Sequence, residues 1–220
     1  MINMPDKSLS FDYENNFYLT CDSSRIGKLI AHYELYKLIS GIKGSLVECG
    51  VYKGASLARF SMFREIFEKK DVTEIIAFDT FDVFPETNFQ EDIEVRKKFI
   101  NNSGSQSISK DQMLTVLEQK NCRKKIRLIE GDICETVPEF VKKNPGLEIA
   151  LLNLDVDIYE PSVVILEYLF PLIVKGGILI LDDYGTFPGE TKAVDEYFKN
   201  QSIQIKRFPF CNTPRYIIKN

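Results

Sequence analysis

The sequence predicts an α/β protein built on a doubly wound, mostly parallel sheet, and three observations carry that prediction. Short apolar runs alternate with stretches of helical periodicity. Acidic groups and glycines recur where those runs end, which is where an open α/β sheet places its ligand crevice. The chain has 220 residues and is 44% hydrophobic, enough for one buried core, so a single domain spanning 1–220 is expected.

Composition narrows the function classes. The formal charge is -4, with lysines and arginines dispersed among acids, so no basic stripe follows a nucleic-acid backbone. No basic N-terminal region precedes an apolar run and no run reaches bilayer length, so a soluble, cytoplasmic protein off the membrane is expected. The five cysteines include no CxxC pair, which argues against a disulfide framework or a zinc site. The only histidine, His32, lies in an apolar helical stretch, and a structural role is expected for it.

Residues 1–23 read as an N-terminal arm, the candidate surface for self-association into a homo-oligomer. Ile26, Leu29, Ile30, Tyr33, Tyr36 and Ile39 then recur at helical spacing, predicting a helix from Ser24 to about Ser40. LVECG (Leu46–Gly50) reads as a strand, followed by a helix to about Lys70 and the strand EIIAFD (Glu74–Asp79). Residues 84–120 exceed an ordinary crossover and carry only weak helical patterns, so they read as an insertion near the site. Alternation resumes with the strand IRLIEGD, a helix through VPEFVKK, the strand EIALLNLD, a helix starting near Pro161, and the strand GILILDD after a Gly176-Gly177 turn. A last helix from about Glu190 to Asn200 precedes IQIKRF and RYIIK, which suit a terminal antiparallel hairpin around CNTP.

Two groups of residues carry chemistry. The first strand runs into Glu48, Gly50, Gly54 and Ser56, an ExGxxxG turn whose glycines permit close backbone approach before a helix N-terminus. Asp79 ends the second strand, where its carboxylate can accept from two ribose hydroxyls, and Gly131 and Asp132 end the third. Glu48 can serve a ligand ammonium or a backbone amide. The plainer alternative is that the glycines only shape a turn while Asp79 and Asp132 cap the following helices.

The second group is acidic. Asp155 and Asp157 end the fourth strand, and Asp182 and Asp183 end the fifth. If these two strands are neighbours, as doubly wound order commonly makes them, their ends lie about 4.8 Å apart and the carboxylates can converge on one cation. An all-oxygen set suits Mg²⁺ or another hard divalent cation. In a regular strand Asp155 and Asp157 share a side, which leaves one free to ligate and the other to reach substrate.

VECGVYKGAS, AFDTFDVFPE, LIEGDICETVP, LNLDVDIYEPS and GGILILDDYGTFPGETKAVDEY together resemble the macrocin O-methyltransferase (TylF-type) family of sugar methyltransferases. The resemblance spans roughly 46–197 and implies a class I methyltransferase (Rossmann-like) fold. It implies S-adenosylmethionine at the glycine turn, with Asp79 on the ribose and Gly131 and Asp132 near the adenine. It also implies that Asp155, Asp182 and Asp183 ligate magnesium and that Asp157 is the general base. The expected partner is a small-molecule acceptor, a sugar or nucleotide-linked sugar, with a phenolic or other small hydroxyl compound as the alternative acceptor. A noncatalytic cofactor-binding protein is the weaker reading, and the missing GxGxxG disfavours a nicotinamide-dependent oxidoreductase. The arm and the segment after Pro85 match no family pattern, so the resemblance does not specify the acceptor.

Overall fold

The computed structural model describes residues 1–68 and 73–220. In chain order the elements are α1 (Ser10–Thr20), α2 (Ser23–Leu38), β1 (Ser45–Cys49), α3 (Ala55–Phe67), β2 (Ile75–Asp79), α4 (Gln90–Ser103) and α5 (Lys110–Gln119). There follow β3 (Ile126–Glu130), α6 (Ile133–Lys143), β4 (Ile149–Leu154), α7 (Tyr159–Tyr168), β5 (Ile173–Leu181), α8 (Pro188–Phe198), β6 (Lys206–Arg207) and β7 (Arg215–Ile218). They form one sheet in the order β3-β2-β1-β4-β5-β7-β6. The first five strands pair in parallel, and β7 runs antiparallel between β5 and β6. The expected terminal hairpin is present, and its second strand is the one that joins the main sheet.

The central strands read as near-continuous apolar runs because helices cover both sheet faces. Val47, Phe78, Leu152 and Leu179 pack with α6, α7 and α8 on one side. Leu46, Ala77, Leu151 and Ile178 pack with α2, α3 and α5 on the other. This parity matters for the site: Glu48, Asn153 and Asp182 continue the second set, so they point beneath α2 and α3.

Residues 84–120 are not one insertion. α5 buries Met113 and Leu117 in the same core as α3 and is the ordinary crossover helix into β3. The added piece is α4 with its flanking loops, which packs against α8 beyond the strand ends. The Gly176-Gly177 pair lies within β5 rather than before it. There β5 advances from Ile173 to Ile178 while β4 advances from Ile149 to Leu151, a bulge that Gly176 permits at φ 81°. The arm contains α1, which buries none of its residues. The expected end of the third-element helix at Lys70 lies outside the described residues. Among the described residues no helix is long and apolar enough to cross a membrane.

Candidate functional site

The carboxyl ends of the parallel strands are tied together by one row of backbone bonds. The N–H of Gly131 donates to Asp79 (3.0 Å), Gly50 to Phe78 (2.9 Å), Asp155 to Cys49 (3.0 Å) and Asp182 to Leu154 (3.0 Å). The first residues past β1, β3, β4 and β5 are thus each tied to the neighbouring strand, and all four are among the residues singled out from the sequence.

At the β1 end, Gly50 has φ 93°. A Cβ there would stand 1.6 Å from the Asp155 carbonyl oxygen, so only glycine lets the turn meet the β4 end. The Asp79 carboxylate accepts from Val51 N–H (2.7 Å) and Tyr52 N–H (3.0 Å) with one oxygen, and from Phe81 N–H (2.7 Å) with the other. It therefore fastens the glycine turn to its own loop. Asp132 is the N-cap of α6 and accepts from Cys134 N–H at 2.8 Å. Gly50, Asp79 and Asp132 line a cavity of about 300 Å³. Glu48, Gly54, Ser56 and Gly131 are off its wall. Ser56 donates to Glu48 at 2.6 Å beneath the turn, and burial pushes the Glu48 carboxyl up to about 8.

Asp155 and Asp157 line the same cavity. The expectation that they share a side of a strand is corrected: β4 ends at Leu154, and Asp157 sits in a tight turn at φ 64°. An aspartate tolerates that left-handed conformation better than most residues. Oxygens of Asp155, Asp182 and Asp183 lie within 4.8 Å of one another. Asp157 lies against this group, sharing a hydrogen bond with Asp183; burial, and then the Asp155 charge, push it up to about 7. Burial and mutual repulsion also raise Asp155 and Asp183 well above the usual carboxylate range.

Asp182 differs from its neighbours. Burial opposes its ionisation, but the Lys28 ammonium and the His32 ring outweigh this and hold it below the usual range. Lys28 is ion-paired with Asp182, and His32 Nε2 lies 3.7 Å from the other Asp182 oxygen. His32 stacks on Phe60 at 4.9 Å, and its Nδ1 faces Arg59 at 3.0 Å. The lone histidine is thus a wall of the acidic centre as well as part of the core. Glu190 accepts from Asp183 N–H at 3.1 Å and is fully buried.

Lys28, Arg59 and Glu190 were not among the residues expected from sequence. Lys28 and His32 stand one helical turn apart, a spacing that marks a shared face but not what it meets. Nothing local marks Glu190. The three convergent carboxylates offer only oxygen donors, and Asp182 Oδ1 is buried without a hydrogen-bond partner among the described residues. That donor set suits a hard divalent cation.

The strand order, the antiparallel β7 and the crevice at the parallel strand ends define the class: this is a class I S-adenosylmethionine-dependent methyltransferase fold. Residues 21–208 match the family described as macrocin-O-methyltransferase (TylF), and the chain belongs to that family. Demethyldecarbamoylnovobiocin O-methyltransferase of Streptomyces niveus is 27% identical over 165 residues, which cover 72% of this chain and 59% of that protein. Mycinamicin III 3''-O-methyltransferase of Micromonospora griseorubida is 24% identical over 171 residues, 76% of this chain and 65% of its own. The chain therefore spans less than two thirds of the length of these relatives. Among solved structures, calicheamicin methyltransferase superposes with a TM-score of 0.79 at 27% identity, covering 98% of this chain and 87% of that one. An apo TDP-rhamnose 3'-O-methyltransferase of calicheamicin biosynthesis gives 0.72 at 26% identity, over 95% and 86%.

Proposed function

We propose that the chain transfers the methyl group of S-adenosylmethionine to a hydroxyl of a sugar or sugar-containing small molecule, with Asp157 as general base and a divalent cation, Mg²⁺ first, at Asp155, Asp182 and Asp183. The observation that carries this reading is the shared cavity, whose wall includes Gly50, Asp79 and Asp132 on one side and Asp155 and Asp157 on the other. Relatives named for methylating novobiocin, mycinamicin and TDP-rhamnose intermediates support the acceptor class.

Gly50, Asp79 and Asp132 on the cavity wall would hold the cofactor, with the two carboxylates as acceptors for its ribose and adenine. Asp157 takes the acceptor proton as the oxygen attacks the methyl carbon. The carbon–sulfur bond breaks with its electrons left on sulfur, giving S-adenosylhomocysteine and the methyl ether. A cation held by the three aspartates would orient the acceptor and make its hydroxyl more acidic. Alignment of oxygen, carbon and sulfur supplies much of the rate, so the rigid row of strand ends matters as much as any one acid.

The test is calorimetric titration of S-adenosylhomocysteine into the chain, joined to a transfer assay with nucleotide sugars and glycosides, with Mg²⁺ and after chelation. Binding followed by Mg²⁺-dependent transfer is expected, and Asp157→Asn should keep the binding while losing about 10²–10⁴-fold in turnover. Failure of the folded chain to bind S-adenosylhomocysteine would sink the reading. Transfer unaffected by chelation would remove only the cation.

A further inference from the structure

We propose that Lys28 is the built-in counter-cation of the acidic centre, and that a divalent ion binds there in competition with it. The inference rests on the reading of Asp155, Asp182 and Asp183 as a cation site, and goes beyond it by naming the residue that sets the strength of binding.

Lys28 reaches the centre from α2, and its ammonium pairs with one oxygen of Asp182. Among the described residues no lysine or arginine forms an ion pair with Asp155 or Asp183. Asp182 is therefore the carboxylate at which the acidic centre is neutralised, and it is also one of the three that converge. An ion bridging all three must share Asp182 with Lys28. Two cations on one carboxylate repel each other, so the lysine weakens the attraction the other acids exert.

The two α2 residues at Asp182 differ in their freedom. The His32 ring is held by its stack on Phe60 and by Arg59, and it is fully buried. Lys28 ends a flexible four-carbon stem, and its side chain remains 22% exposed. Its ammonium can withdraw to solvent by rotation about that stem, with no movement of α2. Such a lysine neutralises the aspartates while no ion is bound and yields when one arrives. Without it, the converging carboxylates have no ammonium partner at Asp182.

The experiment compares wild type with Lys28→Met, full-length, by calorimetric titration with MgCl₂ and MnCl₂ and by thermal unfolding with and without MnCl₂. Lys28→Met removes the charge, adds no hard ligand and keeps most of the stem. The expected result is ion affinity about tenfold tighter or more, with a larger rise in melting temperature on adding Mn²⁺. Lys28→Gln serves if the methionine variant does not fold, with the same expectation. Equal or weaker affinity in a folded variant overturns the proposal while leaving the cation site standing. Absence of Mg²⁺ and Mn²⁺ binding in both wild type and variant overturns the proposal and the cation reading together.

Discussion

Glu48 is fully buried, receives the Ser56 hydroxyl on one oxygen and, among the described residues, has no partner on the other. Its carboxyl ordinarily titrates at 4.5, and burial lifts it to about 8. Between those values the native chain holds a proton that the unfolded chain has lost, so the Glu48 contribution is fully present below 4.5 and is lost as pH rises towards about 8. Glu48→Gln keeps an acceptor for Ser56 without the charge. Its melting temperature should exceed that of wild type by a margin that grows from about pH 5 to about pH 8. A margin independent of pH would show that Glu48 does not titrate in this window. At this scale the four strand-end aspartates were legible, because acids directly after apolar runs have few other reasons to be there. The left-handed turn at Asp157 was not, since a DVD triplet reads equally well as strand. Nor was Lys28, whose partner Asp182 lies 154 residues away.

Helix α4 shows how an element with little apolar surface is held in place. Its one buried residue is Asp92, whose carboxylate accepts from Tyr159 N–H at 3.0 Å and Gly189 N–H at 2.7 Å. Those amides belong to the first turns of α7 and α8, where unpaired N–H groups and the helix dipole favour an anion. Gly189 is required there, since a Cβ would fall 2.0 Å from Asp92 Oδ2. Phe89 adds a ring contact with Tyr159 at 5.1 Å. Asp92→Ala leaves two helix starts without their shared acceptor and should cost about 2–4 kcal/mol, read from denaturant unfolding. An unchanged midpoint would mean that the aromatic contacts alone hold α4. The same arrangement explains why 84–120 was read as one weakly patterned stretch: α4 has no apolar stripe, and the short stripe of α5 stood beside a polar run. The central strands were legible because burial on both faces leaves their sequences mostly apolar.

Across the whole molecule the site is a seam. The glycine turn, Asp79 and Asp132 precede α6, the four aspartates follow Leu154, and the two sets meet where β1 pairs with β4 from Ser45 opposite Ile149 to Cys49 opposite Leu154. Gly50→Ala places a methyl group against the Asp155 carbonyl, at a spacing of 1.6 Å, so it must part the strand ends at their contact. Both S-adenosylhomocysteine and Mn²⁺ affinities should fall in that variant, by about tenfold or more, when the two are titrated separately. Loss of one with the other intact would show that the halves are independent. The sequence put both halves at or just past strand ends but left the adjacency of the fourth and fifth strands as a condition, because which strands adjoin is decided by contacts far apart in the chain. In the row from Gly131 through Gly50 and Asp155 to Asp182, backbone bonds tie both halves of the proposed site to the strand ends. On the proposed reading, the gap a methyl group would cross is then a property of strand register, and lids and arms around the crevice could diverge between acceptors while that gap stays constant.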